Sequence, residues 1–372
     1  MRIAITVDPN LPVPPRLYGG IERIVDFLVR GLVARGHDVT LLAHPDSDTP
    51  ATLVPYGVPP HTGTRPRMTE VRQVGSFLWK NRNRFDVVHS FGRLAALLPI
   101  LPCRRLAKIQ SYQRDQVPWR SVRVAERLAG RSLLFTGCSS SVYRDRATGE
   151  APTGDWRTVF NGVDLAKYEF TSNVPADAPL AFLGRLERFK GAHCAVEIAR
   201  QAGRRLVIAG NRVTDGDDPD YFSREIEPHI DGDRVQYVGP VDDRQKNDLL
   251  RSAGAFLMPI LWDEPFGIVM AEALACGTPV IAFARGSVPE VVQNGVNGFA
   301  CRDVAEAVAA VPRALRLDRS AVRADCESRF GSEVIVAEYE RLYREMSERS
   351  VRSAQSVLRD DAAAVHEITR SS

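Results

Sequence analysis

The chain of 372 residues lacks any segment that would anchor it in a membrane. No apolar run approaches the roughly 18 residues that a membrane-spanning helix needs. The N-terminal run at residues 1–7 meets Asp8 and Pro9 before the apolar stretch of a signal peptide could form. We therefore expect a cytoplasmic protein.

Cysteine is scarce and follows no pattern. The six cysteines form no C-x-x-C pair and no Cys/His cluster at metal-ligand spacing. They are typical of reduced, buried small residues, and the sequence predicts no metal. No Ser-His-Asp or Cys-His arrangement can be proposed, and no lysine stands in a recognisable pyridoxal phosphate context. We therefore expect no cofactor and a chemistry that depends on electrostatic stabilisation.

What is present is an alternation of strand-length apolar runs and helix-period segments, which predicts an α/β protein with parallel sheets. A Pro/Asp/Ala-rich stretch at residues 171–179 divides the chain into two Rossmann-like halves. We place the domains at 1–172 and 173–331, with a helix at about 332–347 packing back on the first and a polar, mobile tail at 348–372. The predicted strands are 2–7, 38–43, 86–90, 106–111, 133–137, 180–183, 205–209, 234–238, 255–258 and 279–283. The predicted helices of the first half are 20–35, 69–84 and 119–128.

The sharpest motif is DEPFGIVMAE at residues 263–272, followed by ALACGTP. Pro265 suits a first helical position, and Gly277 suits a left-handed helix end. On such a helix Glu264 and Glu272 share nearly one side, because eight residues turn roughly 800°. Two carboxylates there could accept hydrogen bonds from vicinal sugar hydroxyls. In the alternative interpretation, Glu264 only complements the helix dipole and Glu272 is a solvated surface residue.

Two glycine-containing turns follow predicted strands. In FLGRLERFKG, at residues 182–191, Arg185 and Lys190 flank a turn and could neutralise a departing diphosphate. In PPRLYGGIER, at residues 14–23, Gly19 and Gly20 let the backbone approach a phosphate at a helix start. The second turn is not the G-x-G-x-x-G fingerprint, which weakens a nicotinamide interpretation. Without a ligand, the two turns would be a basic surface turn and a helix cap.

Together these motifs resemble the retaining glycosyltransferases of family 4, which have the GT-B fold, and the resemblance covers nearly the whole chain. It implies two facing Rossmann-like domains with a ligand cleft between them. It also implies that Glu264 contacts the donor sugar, that Glu272 contacts the ribose, and that Arg185 and Lys190 clamp the diphosphate. The backbone near Phe266 would orient the sugar. The further donor-binding positions are Gly19, Gly20, Asn161, Gly184, Gly210, Asn211, Val238, Pro265, Phe266, Gly267, Ile268 and Val269.

The acceptor side departs from the family pattern. His89 ends a predicted strand and is a candidate catalytic or acceptor-side group, although a lone histidine there is more often structural. Many relatives have a second histidine two residues later, where this chain has Phe91. Relatives also often carry Thr-x-His-Gly after the next strand, where this chain has the run from Gln110 to Tyr112. We expect both departures to reshape the acceptor pocket.

The resemblance predicts a retaining, metal-independent transfer of a sugar, with a UDP-hexose favoured over GDP-mannose as donor. The acceptor is a hydroxyl group of a glycan, a lipid-linked molecule or a small molecule. A nucleotide-sugar epimerase and a non-catalytic nucleotide-sugar-binding scaffold are the alternatives. A phosphorylase is disfavoured because the pyridoxal phosphate lysine is missing.

One stretch of the chain is strongly basic. Residues 65–131 hold fifteen Lys/Arg against four Asp/Glu, a net charge of +11. On the predicted helix at 69–84, apolar residues alternate with Lys80, Arg82 and Arg84. A solvated helix is the ordinary interpretation. The alternative is peripheral contact with the inner membrane face or with a phosphorylated acceptor. Nucleic acid is not expected as a partner.

Overall fold

The computed structural model describes residues 1–15, 19–57, 64–114, 116–145, 148–215 and 218–370. It divides into two compact units. Unit 1 is Met1–Val159 with Ile335–Ser372, and unit 2 is Phe160–Val334. Residues 160–172, which the sequence-based boundary assigns to the first half, belong to unit 2. The Phe160 ring lies 5.5 Å from the Phe330 ring, and the Thr171 amide donates to the Cys276 carbonyl.

Unit 1 is built on a seven-stranded sheet in which all the neighbouring strands are parallel. Its order is β3-β2-β1-β4-β5-β6-β7. The central strands are buried on both faces, as expected for a sheet covered by helices. The strands are β1 (Arg2–Thr6), β2 (Asp38–Ala43), β3 (Thr52–Pro55), β4 (Val87–Ser90), β5 (Ala107–Tyr112), β6 (Leu133–Gly137) and β7 (Trp156–Thr158).

Three helices of unit 1 occur close to the predicted positions. They are α1 (Gly20–Ala34), α2 (Thr64–Asn81) and α3 (Trp119–Ala129). Helix α1 buries Ile24, Leu28 and Leu32, which recur every four residues and so form one apolar stripe. A 3-10 helix at Leu94–Ile100 contacts α2 and α3.

Unit 2 has a six-stranded parallel sheet in the order β10-β9-β8-β11-β12-β13. Its strands are β8 (Leu180–Leu183), β9 (Leu206–Ala209), β10 (Val235–Gly239), β11 (Ala255–Met258), β12 (Val280–Phe283) and β13 (Gly298–Cys301). Its helices are α4 (Ala192–Gln201), α5 (Tyr221–Glu225), α6 (Asp243–Ser252), α7 (Ile268–Ala275), α8 (Val288–Val291), α9 (Val304–Ala314) and α10 (Arg319–Phe330).

The last helix, α11 (Ser332–Arg370), is much longer than the helix predicted at 332–347. Tyr339, Tyr343 and Met346 are buried at four- and three-residue spacing, so its first half buries one apolar stripe. The segment expected to begin a polar tail instead continues this helix. Arg349 donates a 2.6 Å hydrogen bond to Asp155 of unit 1, and Ser350 is fully buried.

Both sheets have the doubly wound order in which the direction of strand addition reverses once. The reversal lies between β1 and β4 in unit 1, and between β8 and β11 in unit 2. Ligands of open α/β sheets bind outside the carboxyl ends of the strands at this switch point. The loops that follow β8 and β11 are therefore the place to look for a site in unit 2.

Candidate active site

An ion pair joins the two loops at the switch point of unit 2. Lys190 lies in the 3-10 turn that follows β8, and its Nζ is 2.8 Å from Oε2 of Glu264, which follows β11. The indole Nε1 of Trp262 donates to the same oxygen at 3.1 Å. Both charged side chains are largely buried, with 22% and 14% of their surfaces exposed. The pair is therefore held in a partly desolvated position, where Coulomb interactions are strengthened.

A second carboxylate, that of Glu272 on α7, is also held by a lysine and an aromatic side chain. Oε1 of Glu272 accepts hydrogen bonds from Lys246 Nζ at 2.7 Å and from the Tyr168 hydroxyl at 2.6 Å. Glu272 is 6% exposed, so the solvated interpretation of this residue is wrong. Lys246 comes from α6, and Tyr168 from the segment before β8.

The two carboxylates thus form two Glu–Lys–aromatic triads, Glu264–Lys190–Trp262 and Glu272–Lys246–Tyr168. In each triad the ammonium also lies over the aromatic ring, 5.1 Å from the Trp262 centroid and 5.4 Å from the Tyr168 centroid. Both donors meet at one carboxylate oxygen. Among the described residues, neither Glu264 Oε1 nor Glu272 Oε2 has a hydrogen-bond partner. Each glutamate can therefore accept a hydrogen bond from a ligand.

The helix that carries Glu272 begins later than the sequence predicts. Gly267 is its N-cap, in a left-handed conformation with φ +72°, and Ile268 is its first helical residue. Pro265 is therefore not at the first helical position, and Glu264 lies outside the helix. The prediction that the two glutamates share one side of a helix is wrong. The expected helix end is confirmed, since Gly277 follows Cys276 with φ +78°.

Two glycines fix the backbone on either side of the Lys190–Glu264 pair. Gly191 has φ +79°, and a Cβ at this position would lie 1.9 Å from the Pro259 carbonyl oxygen. Gly286 has φ +57°, and a Cβ there would lie 2.3 Å from the Glu264 carbonyl oxygen. The Ser287 amide also donates to that carbonyl at 2.8 Å. No side chain fits at either glycine, so close backbone packing sets the geometry of the pair.

Arg185 is close to Lys190 in sequence but differs in its surroundings. Its guanidinium is 51% exposed and lies 2.9 Å from the Glu187 carboxylate. The Glu187 carboxylate is more buried, with 20% of its side chain exposed. About half of the Arg185 side chain is therefore open to a ligand, and its role at the diphosphate stays a prediction.

Four other predicted donor-binding residues of unit 2 lie at the carboxyl ends of its strands. Gly184 and Gly210 directly follow β8 and β9, and a Cβ on Gly210 would lie 1.8 Å from the Gly184 carbonyl oxygen. Val238 in β10 is 51% exposed, and Asn211 is exposed. Asn161 is buried in the first segment of unit 2.

Around the start of α7, the backbone presents N–H groups, whereas the Phe266 side chain packs in the interior of unit 2. Phe266 is 2% exposed and packs on the Phe160 and Phe330 rings at 6.1 and 5.7 Å. The amides of Ile268 and Val269 belong to the first turn of α7, where N–H groups have no intrahelical partner. Such a turn favours anionic ligand groups.

In unit 1, the structure gives His89 a structural role. The side chain is fully buried, with Nδ1 2.6 Å from the Tyr343 hydroxyl and Nε2 2.6 Å from the Ser111 hydroxyl. The Phe91 ring lies 4.2 Å from the imidazole. Burial lowers the His89 pKa to about 3, so the ring is neutral. With both nitrogens engaged, His89 cannot reach a ligand, and we no longer retain it among the candidate catalytic residues.

Both departures from the family pattern therefore contact His89. Phe91 stacks beside the ring, and Ser111 lies in the Gln110–Tyr112 run. Gln110 is fully buried and donates to the Gly92 carbonyl at 2.9 Å. Phe91, Gln110 and Ser111 are thus buried in unit 1, and the reshaping of the acceptor pocket stays a prediction.

Further polar groups near the switch point of unit 1 were not selected by the sequence analysis. Arg93, which follows β4, lies 2.8 Å from Glu70 and 3.7 Å from Asp8. Burial is the main cause that raises the Asp8 pKa. Gly19 is the N-cap of α1 and Gly20 its first residue, whereas residues 16–18 of the predicted glycine loop lie outside the described part of the chain. A Cβ on Gly19 would meet the Glu22 carboxylate at 2.8 Å.

All six cysteines are free, and four of them are buried. Across the described residues, no group of three or more His, Cys, Asp or Glu side chains could hold a metal ion. No helix in that part of the chain has the length and apolarity needed to cross a bilayer.

Two family models match the chain. Residues 18–167 match the model described as Glycosyltransferase Family 4, and residues 169–329 match Glycosyl transferases group 1. The two matches together cover most of both units, with β1 and Tyr168 outside them. The chain is a family 4 glycosyltransferase. It is therefore a transferase that uses a nucleotide-sugar donor, and neither an epimerase nor a non-catalytic scaffold is favoured.

Individual proteins that are similar to this chain support the same family assignment. The glycogen synthase of Mycobacterium tuberculosis (strain H37Rv) is 29% identical over 348 residues, covering 80% of this chain and 83% of the relative. Among solved structures, AviGT4, a glycosyltransferase involved in avilamycin A biosynthesis, is 26% identical. It has a TM-score of 0.66 and covers 93% of this chain and 98% of AviGT4. A sucrose-phosphate synthase from Thermosynechococcus elongatus is 21% identical with a TM-score of 0.72, covering 93% and 98% of the two chains. The GT-B fold class is thus confirmed.

Proposed function

We propose that this glycosyltransferase moves a hexose from UDP-hexose to a hydroxyl acceptor with retention of configuration and without a metal ion. The observation that carries the proposal is the Lys190–Glu264 ion pair at the switch point of unit 2. It combines a cation suited to a diphosphate with a carboxylate suited to sugar hydroxyls. The alternative donor is GDP-mannose.

Donor binding would rearrange this pair. The diphosphate competes with Glu264 for the Lys190 ammonium, and Arg185 adds a second cation from the same loop. Glu264 then accepts hydrogen bonds from the sugar through its unpartnered Oε1, while Trp262 Nε1 continues to donate a hydrogen bond to Oε2. In this scheme Glu264 binds the sugar and forms no covalent bond to it.

In the reaction, the bond between the anomeric carbon and the β-phosphate oxygen breaks. The acceptor oxygen forms the new bond from the same face, and its proton passes to a phosphate oxygen of the leaving diphosphate. Lys190, Arg185 and the first amides of α7 stabilise the charge that develops on the diphosphate. Glu272 would bind the ribose through Oε2 while Lys246 and Tyr168 hold Oε1.

A donor screen tests the proposal directly. Thermal stabilisation is measured with UDP-glucose, UDP-galactose, GDP-mannose and ADP-glucose, since a ligand that binds only the folded state raises the melting temperature. We expect a UDP-hexose to stabilise the protein most. Release of UDP is then followed with candidate acceptors, and the anomeric configuration of the product is read by NMR. An inverted product would contradict the retaining mechanism.

We further propose that unit 1 meets an anionic membrane surface through α2 and the residues after it. Trp79 is 45% exposed, and the Arg82 guanidinium lies 4.1 Å from the centre of its ring. Cations near anionic lipid contribute about 1 kcal/mol each to binding, and salt screens them. We expect salt-sensitive sedimentation with phosphatidylglycerol vesicles that is reduced by K80E/R82E/R84E, while donor binding is unchanged. Failure of the wild type to sediment at low salt would favour a soluble acceptor.

A further inference from the structure

A cavity of about 630 Å³ lies in unit 1 beside the end of α3. Four arginines line it, and only two carboxylates do. Arg349 lies 2.6 Å from one of these carboxylates, Asp155. The other, Glu126, accepts a hydrogen bond from Thr153. The four arginines are Arg123, Arg127, Arg131 and Arg349.

Three of these arginines have no partner in the described part of the chain. Arg123 and Arg127 lie one turn apart on α3, and Arg131 follows in the 3-10 turn Gly130–Ser132. All three are exposed, and none makes an ion pair or hydrogen bond with a described residue. Like charges at this helical spacing are destabilising. One cation would be enough to complement the helix dipole, so the dipole does not account for three.

The cavity is separate from the strand ends at which nucleotide-sugar chemistry is proposed. Two of its lining residues, Leu133 and Asp155, stand at the start of β6 and just before β7. It therefore lies at the amino ends of these strands, whereas ligands of open α/β sheets bind at the carboxyl ends. The α2 residues of the proposed membrane contact do not line it.

We propose that this cavity is a binding site for a phosphomonoester, with the unpaired arginines holding the phosphate. A guanidinium matches phosphate oxygens in paired hydrogen bonds, and four arginines against two carboxylates leave a net charge of +2 for the anion. The volume is within the range of small-molecule sites and leaves room for the group that carries the phosphate. The inference is independent of the transfer mechanism proposed above.

The test is calorimetric titration with sn-glycerol 3-phosphate at constant ionic strength. It is done on the wild type and on Lys190→Ala, which removes the main cation of the donor site. R123Q/R127Q removes two cavity cations, and R104Q/R105Q is the matched control, since both of its arginines are exposed in unit 1 and neither lines the cavity. We expect K190A and R104Q/R105Q to bind like the wild type, and R123Q/R127Q to bind about tenfold more weakly or worse.

A second arm separates a free phosphate from a lipid headgroup. It uses phosphatidylcholine vesicles with and without phosphatidic acid. Binding of phosphatidic acid alone, lost in R123Q/R127Q and kept in R104Q/R105Q, would assign the site to a lipid headgroup. The proposal is overturned if neither ligand binds K190A, if R123Q/R127Q binds like the wild type, or if both double variants weaken binding equally.

Discussion

At the two switch points, the glutamates of unit 2 and His89 of unit 1 differ in how fully their polar atoms are hydrogen-bonded. In unit 2, Glu264 and Glu272 each have one oxygen held by two donors and one oxygen without a partner among the described residues. In unit 1, His89 has both nitrogens engaged and no exposed surface. For these three side chains, a carboxylate oxygen without a partner leaves a hydrogen bond for a ligand, whereas His89 has no ring nitrogen left to offer one.

The largest effect should come from breaking the ion pair of unit 2. Lys190→Ala removes the cation proposed to neutralise the leaving diphosphate, and Arg185→Ala removes its neighbour. We expect each to lower kcat/KM by about 10²-fold or more with the fold intact. Lys167→Ala is the control, because Lys167 is exposed and its ammonium lies 3.7 Å from Asp164, three residues earlier in the chain. Activity of either variant within threefold of the wild type would contradict the donor clamp.

The roles of the two triads can be tested separately by removing one hydrogen-bond donor from each. Trp262→Phe and Tyr168→Phe keep an aromatic ring and remove one hydrogen bond to Glu264 or Glu272. Loss of one such bond to a charged group costs about 1.5–3 kcal/mol, roughly tenfold or more in kcat/KM. We expect W262F to lower mainly kcat and Y168F to raise mainly KM for the donor. Identical changes in both constants would mean that the triads do not divide sugar from ribose.

For unit 1 the expected effect is on stability. His89→Gln should lower the free energy of unfolding by about 2 kcal/mol or more, because the Tyr343 hydroxyl loses its imidazole partner and the Ser111 hydroxyl loses one of its three partners. The specific activity of the folded fraction should change less than threefold. Urea unfolding followed by circular dichroism, beside an activity assay, measures both. A hundredfold loss of activity without loss of stability would restore His89 as a catalytic residue.

The same histidine predicts a pH dependence of stability. Its pKa falls to about 3 in the folded protein from an ordinary 6.5, so the folded state favours the neutral ring. The stabilisation is complete above pH 6.5 and is lost as the pH falls towards 3. We expect the urea midpoint of the wild type to drop between pH 7 and pH 5 more steeply than that of His89→Gln. Parallel slopes would show that His89 is not the group responsible.

The smallest expected effect is that of a chelator. The proposed mechanism stabilises the diphosphate with Lys190 and Arg185, so EDTA should leave the rate of transfer unchanged. The measurement is turnover with and without EDTA, followed by addition of Mg²⁺ or Mn²⁺. Abolition by EDTA and recovery with metal would contradict the metal-independent mechanism.

The sequence predicted the interior strands and the edge strand β10, and it missed the other three edge strands. Strands such as β6 and β11 are continuous apolar runs because both faces are buried. The missed strands β3, β7 and β13 lie at edges of their sheets. Strand β3 has no fully buried residue and β7 has three residues, so neither leaves a recognisable pattern.

The sequence analysis identified the motif residues of the site but not the residues that hydrogen-bond to them. Glu264, Glu272 and Lys190 stand in recognisable motifs, but Lys246 and Tyr168 are ordinary residues 26 and 104 positions from Glu272. Only the fold brings them to α7. The start of α7 was mispredicted because Pro265 fits a first helical position, whereas the left-handed Gly267 determines where the helix begins.

The glycines beside the ion pair bear on how this enzyme could evolve or be redesigned. Since Gly191 and Gly286 leave no room for even a methyl group, the backbone that carries Lys190 and Glu264 tolerates no adjustment by mutation at these two positions. Libraries that randomise either glycine should yield almost only inactive clones. Changes in sugar preference would have to arise from side chains around a fixed frame, and Trp262, which touches both charged groups through its ring and its N–H, is the first position to diversify.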